Sequence, residues 1–166
     1  MMCVRAYLQV QRVPFEVLLH RPTPSATRLA QSVHEPGHRV AKVVLLRAGE
    51  RFALAVLPAT RRIEWERLPE VLGTRAVGLA TEDEVEAVFV DCQRGALPPF
   101  GRLYGLTTVV DSSLAEADDI VFEGNTRHEG LRIRFRDFEA LEQPIRAQFA
   151  TTITPRRPRR SHRRAE

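Results

Sequence analysis

The chain has 166 residues, enough for one globular domain around one sizeable core. Its 43% hydrophobic and 28% charged residues are ordinary for a water-soluble fold. No apolar run approaches the roughly 18 residues of a membrane span, and Arg5, Gln9 and Gln11 interrupt the N-terminal stretch that a signal peptide would keep apolar. The expectation is a cytoplasmic protein with no membrane partner. Cys3 and Cys92 are too few for a disulfide framework. The net charge of +4 belongs to the end of the chain: six arginines and one glutamate fall in 151–166, which leaves 1–150 close to neutral. This divides the sequence into one domain over 1–150 and an Arg-rich, low-complexity tail over 151–166 that reads as disordered. Such a tail suits either a polyanionic partner or a merely solubilising end.

In chain order, residues 2–12 suit a short helix with Val4 and Leu8 on one face, stopped by Pro14. Phe15–Leu19 reads as a strand. Pro22-Thr23-Pro24 is a turn, and Ser25 can cap a helix over 26–33 that buries Leu29, Ala30 and Val33. Val40–Leu46 and Phe52–Leu57 are β-rich runs joined as a hairpin through 47–51. A helix is then expected to contain Ile63, Trp65, Leu68 and Leu72 and to end at Gly73. Ala76–Leu79 is a short strand. Thr81-Glu82-Asp83-Glu84 has the form of a capping box before a helix with Val85, Val88 and Phe89. After a Gly- and Pro-rich loop over 91–101, strands are expected at 107–110, 120–122 and 131–135. Asp137 is read as the cap of a last helical turn and Pro144 as the end of the domain. Interspersed helices and strands with one hairpin argue for an α/β fold of the α+β type, a mixed sheet packed by helices.

The basic residues single out one position. Of the 25, Lys42 is the one lysine, inside the apolar run Val40–Leu46. A charge there is costly unless it is paired or has work to do. Arginine would replace lysine on a solvated surface, but not in a site that needs a compact ammonium able to lose its proton. Lys42 is therefore the candidate catalytic residue.

Other constellations carry less. His34-Glu35-Pro36-Gly37-His38 matches the H-E-x-x-H zinc motif in letters. That motif works only on a helix, and Pro36 and Gly37 break one, so a turn is expected and no metal. Cys92 as a nucleophile needs a base such as His20 or His128, which nothing local places beside it; a half-buried thiol is the simpler reading. There is no G-x-S-x-G elbow and no P-loop. Gly95-Ala96-Leu97-Pro98-Pro99-Phe100-Gly101 can aim backbone N–H groups at a carbonyl oxygen, or serve only as a structural crossover.

Taken together, several stretches resemble the YbaK/prolyl-tRNA synthetase-associated family in residue type and order. They are Ala41-Lys42, Val56-Leu57-Pro58-Ala59, Leu79–Glu84, Asp91-Cys92, the Gly95–Gly101 loop, Tyr104-Gly105-Leu106, Val110-Asp111 and Asp137-Phe138. The resemblance runs from about Phe15 to Pro144. It implies a barrel-like mixed sheet with helices outside. It also implies trans-editing: metal-free hydrolysis of the ester of mischarged aminoacyl-tRNA, often tRNA(Pro) carrying alanine or cysteine, by a free-standing deacylase with no cofactor. A non-catalytic module of the same fold, binding tRNA or an aminoacyl-tRNA synthetase, is the alternative. By the same resemblance Lys42 matches the essential lysine. Gly95, Ala96, Leu97, Pro98, Pro99 and Gly101 match the substrate-positioning loop. His20, Thr27, Asp111, Asn125, Arg127 and His128 are further substrate-binding candidates. Two departures stand out. Val43 follows the lysine where a small polar residue is usual, and Gly124-Asn125-Thr126-Arg127-His128 replaces Ala-Gly-x-His, so the histidine is displaced by one position.

Overall fold

The computed structural model describes residues 2–153. In chain order the elements are α1 (Val4–Val10), β1 (Glu16–Leu19), α2 (Ala26–Ser32), β2 (Ala41–Ala48), β3 (Arg51–Pro58), β4 (Arg61–Ile63), α3 (Leu68–Leu72), β5 (Val77–Leu79), α4 (Glu82–Val88), β6 (Thr107–Asp111), β7 (Asp119–Glu123), β8 (Glu129–Arg134), α5 (Phe135–Glu142), β9 (Ile145–Ala147) and β10 (Ala150–Thr152). Short 3-10 turns fill 37–39, 65–67, 101–104 and 112–116.

Five strands form one sheet in the order β5-β2-β3-β6-β9. The β2–β3 hairpin and the β2–β5 pair are antiparallel, while β6 lies parallel to both β3 and β9. A second, antiparallel sheet has the order β1-β8-β7, and β4 pairs with β10. A parallel bridge from Val40 to Val121 joins the two larger sheets at the root of β2. The result is a mixed, barrel-like sheet arrangement that does not close, packed by helices. Among the described residues no helix is long and apolar enough to cross a membrane.

Local chemistry sets several element boundaries. Ser25 Oγ accepts the Arg28 N–H and starts α2. Thr81 and Glu84 exchange both bonds of a capping box at α4. Ala48 pairs with Arg51, so β2 and β3 are joined by a two-residue turn in which Gly49 adopts φ +63°. Phe100 anchors the largest core cluster, edge-on to Tyr7, Phe122 and Phe138 at centroid distances of 5.8, 5.7 and 5.4 Å. A second cluster gathers Leu46, Leu57, Leu68, Val109 and Phe149.

Four expectations are corrected. Ile63 ends strand β4 rather than opening a helix, because β4 finds a partner in β10. The helix before Gly73 is confined to Leu68–Leu72. Helix α5 begins at Phe135, with Arg134 at its N-cap, so Asp137 lies in its first turn, where an acid still favours the helix dipole. Pro144 does not end the domain: β9 and β10 follow, and Thr151 and Thr152 belong to a strand rather than to the tail. The expectation for the rest of the tail falls outside the described residues.

Candidate functional site

Lys42 stands one residue into β2, opposite Leu57 of β3. It is half-buried, and that burial lowers its pKa. Its Nζ donates one hydrogen bond to the Arg61 carbonyl oxygen at 2.8 Å. An ammonium has three N–H bonds, so two remain for a ligand. Lys42 lines two cavities. One is open, about 500 Å³, and bordered also by Val44, Arg62, Trp65 and Leu79. The other is tighter, about 80 Å³, and bordered by Thr23, Ala26, Gly95, Leu97 and Glu123.

The expected loop divides into two parts. Gly95 and Leu97 border the tight cavity, and Gly95 takes φ +82°. A Cβ there would meet no neighbour, so only the backbone conformation demands glycine. Ala96, Pro98, Pro99 and Phe100 are buried and fix the loop to the core. Packing demands glycine at 101, since a Cβ would meet Thr108 Oγ1.

The remaining candidates separate by position. His20 packs its ring beside Glu123, Nε2 to Oε2 at 3.6 Å, too long for a hydrogen bond. Arg127 reaches from beyond β7 to the Thr23 carbonyl oxygen at 3.2 Å, and its backbone N–H donates to Gln93 Oε1 at 2.8 Å. It thus ties together two segments that border the tight cavity. Thr27 is exposed on α2 and is not among the residues lining that cavity; Thr23, Ser25 and Ala26 of the same segment are. The His128 side chain is exposed, and its carbonyl accepts the His20 N–H at 2.9 Å.

Two candidates are buried and bond within the fold. Asp111 is buried; Oδ1 accepts the Phe149 and Ala150 N–H groups, both at 2.9 Å, and Oδ2 accepts that of Ser113. Asn125 is buried with φ +70°. Its Oδ1 accepts the Val4 N–H at 2.9 Å, and its Nδ2 faces Asp91, Cys92 and Tyr104 at 3.2–3.3 Å.

The same polar cluster answers the question of Cys92. Its sulfur lies 3.3 Å from the Tyr104 hydroxyl, and burial pushes its pKa up to about 11, away from the thiolate form. The H-E-x-x-H letters form no single helix face. His34 has φ +57°, Pro36 precedes a 3-10 turn over Gly37–Arg39, and Glu35 is paired with Arg132.

Sequence reasoning missed Thr23 and Glu123. Both gave faint signals: a threonine held between two prolines, and an acid closing the apolar strand Ile120-Val121-Phe122 just before a glycine. Burial raises the Glu123 carboxyl to about 7, while the Arg127 charge pulls it down. Between the usual pKa of 4.5 and 7 the folded state therefore holds a proton that the unfolded state has released. Stability contributed at Glu123 must fall as pH rises through that window. His20, Lys42 and Arg127 are the other ionisable groups around it. Thermal midpoints of the wild type and Glu123→Gln, compared from pH 4.5 to 8, are expected to diverge in favour of the variant as pH rises. A constant difference would contradict this.

Residues 20–141 match the model of the aminoacyl-tRNA editing domain. No curated protein matches in sequence. Among solved structures, a candidate trans-editing enzyme for prolyl-tRNA synthetase superposes with a TM-score of 0.78 at 19% identity, covering 89% of this chain and 94% of that one. The hypothetical protein APE2540 gives 0.81 at 18% identity, covering 89% and 99%. A scaffold protein from computational epitope grafting gives 0.77 at 18% identity, covering 90% and 96%. These likenesses carry the fold, and the family match spans most of the sequence: the chain belongs to the aminoacyl-tRNA editing domain family.

Proposed function

We propose that this protein is an aminoacyl-tRNA deacylase that hydrolyses the ester of mischarged tRNA, with tRNA(Pro) carrying a small amino acid such as alanine or cysteine as the expected substrate. The observation that carries the reading is the position of Lys42, where a tight cavity and an open one both reach the sole lysine of the chain. The tight cavity suits a small aminoacyl group. The open one suits the terminal nucleoside, with Trp65, 38% exposed, offering a stacking face.

In the net reaction water oxygen bonds to the ester carbonyl carbon, the bond from that carbon to the ribose oxygen breaks, and the ribose oxygen takes a proton. The ester is already activated, so the protein has to orient it and stabilise the developing oxyanion. The two free N–H bonds of Lys42 provide that stabilisation, and the Gly95–Leu97 backbone holds the acyl group in place. The Arg-rich end of the chain adds general attraction for a polyanion.

The test is release of amino acid from a panel of mischarged tRNAs. Esters of small amino acids are expected to be cleaved and those of aromatic ones spared. Binding of tRNA without release from any ester would favour a non-catalytic module instead.

A further inference from the structure

Buried polar atoms normally find partners. Five side-chain atoms among the described residues do not, and three of them, His20 Nε2, Thr23 Oγ1 and Glu123 Oε2, belong to one neighbourhood. Thr23 and Glu123 both line the tight cavity beside Lys42. Lys42 Nζ bonds the Arg61 carbonyl oxygen and neither of these two atoms. What is left is a small space bordered by Thr23 and by a carboxyl whose Oε2, 3.6 Å from His20 Nε2, makes no hydrogen bond.

The chemistry of that partner can be narrowed. A carboxylate accepts only, and a hydroxyl accepts through two lone pairs, so the pair suits a compact group with several N–H donors. Water would serve the hydroxyl, but the buried carboxyl, whose pKa burial raises against the pull of the Arg127 charge, gains more from a cation inside the cavity. An ammonium supplies both the donors and the charge. Every aminoacyl ester carries one, on the carbon next to the reacting carbonyl.

Resting on the deacylase reading, we infer that Glu123, with Thr23 Oγ1 beside it, binds the α-ammonium of the aminoacyl group and so fixes the ester carbonyl against Lys42. His20 packs against the carboxyl, Nε2 facing Oε2, and Arg127 holds the Thr23 segment in place; these two are positioning residues. The arrangement distinguishes an aminoacyl ester from an acyl ester that lacks the amine. It is indifferent to the side chain, whose selection is left to the size of the cavity.

The experiment compares alanyl-tRNA with lactyl-tRNA, in which a hydroxyl replaces the amine, each corrected for spontaneous hydrolysis. A hydrogen bond to a charged group contributes roughly 10- to 100-fold, so the wild type is expected to prefer the alanyl ester by that order. Glu123→Gln is expected to lower kcat/KM for alanyl-tRNA by about 10- to 100-fold and for lactyl-tRNA by less than about threefold, so that the preference collapses. Thr23→Val, close in shape and neutral, reads the same ratio independently of any folding defect in the first variant, and is expected to reduce the preference. Equal losses on both esters, or an unchanged preference in both variants, would overturn the assignment while leaving the deacylase reading in place. A wild type that cleaves neither ester would overturn the deacylase reading itself, and this inference with it.

Discussion

Lys42→Ala is expected to lower single-turnover deacylation by about 10²- to 10³-fold, the loss that follows removal of one preorganised donor at a developing oxyanion. The fold is expected to survive. The side chain is half-buried, and its hydrogen bond goes to one carbonyl, that of Arg61 at the start of the short strand β4. Lys42→Arg should fail almost as badly. A planar guanidinium cannot occupy the volume of an ammonium between two cavities, and it does not lower its pKa on burial as lysine does. Circular dichroism and thermal melts check the fold; rates under enzyme excess check the chemistry. Near-normal rates in either variant would remove Lys42 from the mechanism.

The largest stability loss is expected from Asn125→Ala. The Val4 N–H at the start of α1 has no cap from its own segment, since Cys3 provides no side-chain bond. Asn125 Oδ1 provides that cap from the other end of the sequence. Its removal leaves a buried donor unpaired, at a cost of about 1–3 kcal/mol. The backbone at φ +70° adds about 1–2 kcal/mol for a residue that carries a Cβ without the local hydrogen bonding of asparagine. Together these predict a thermal midpoint lower by roughly 6–15 °C. Asn125→Gly separates the two causes: it relieves the backbone strain and retains the unpaired donor, so it should recover part of the loss. A midpoint within about 2 °C of the wild type for Asn125→Ala would contradict the capping role.

What could be read in the sequence was what depends on near neighbours. Ser25 and Thr81 cap helices through residues three positions away, and the β2–β3 hairpin turns on two residues, so each was visible locally. Lys42 stood out because a charge in an apolar strand needs a reason. Ile63 was misread because its spacing to Trp65 and Leu68 suits a helix, whereas the pairing with Ala150 that makes it a strand residue is remote in sequence. Strands β9 and β10 have three residues each and take their place from Val109–Asp111, from β4 and from the Asp111 carboxylate, none of them local. The site shows the same division. Asp111 and Asn125 lie in motif-like stretches, yet their polar atoms turn inward to backbone N–H groups. Thr23 and Glu123 lie in stretches that say little, and the fold brings them to one cavity with Lys42.

The most direct measurement of the central claim is release of alanine from alanyl-tRNA(Pro) by the full-length protein, set against buffer and against prolyl-tRNA(Pro). The account predicts release far above the spontaneous rate for the alanyl ester and little for the prolyl ester, whose ring is larger than the tight cavity beside Lys42 favours. Release no faster than in buffer for the alanyl ester, and for every other small aminoacyl ester tried, would contradict it.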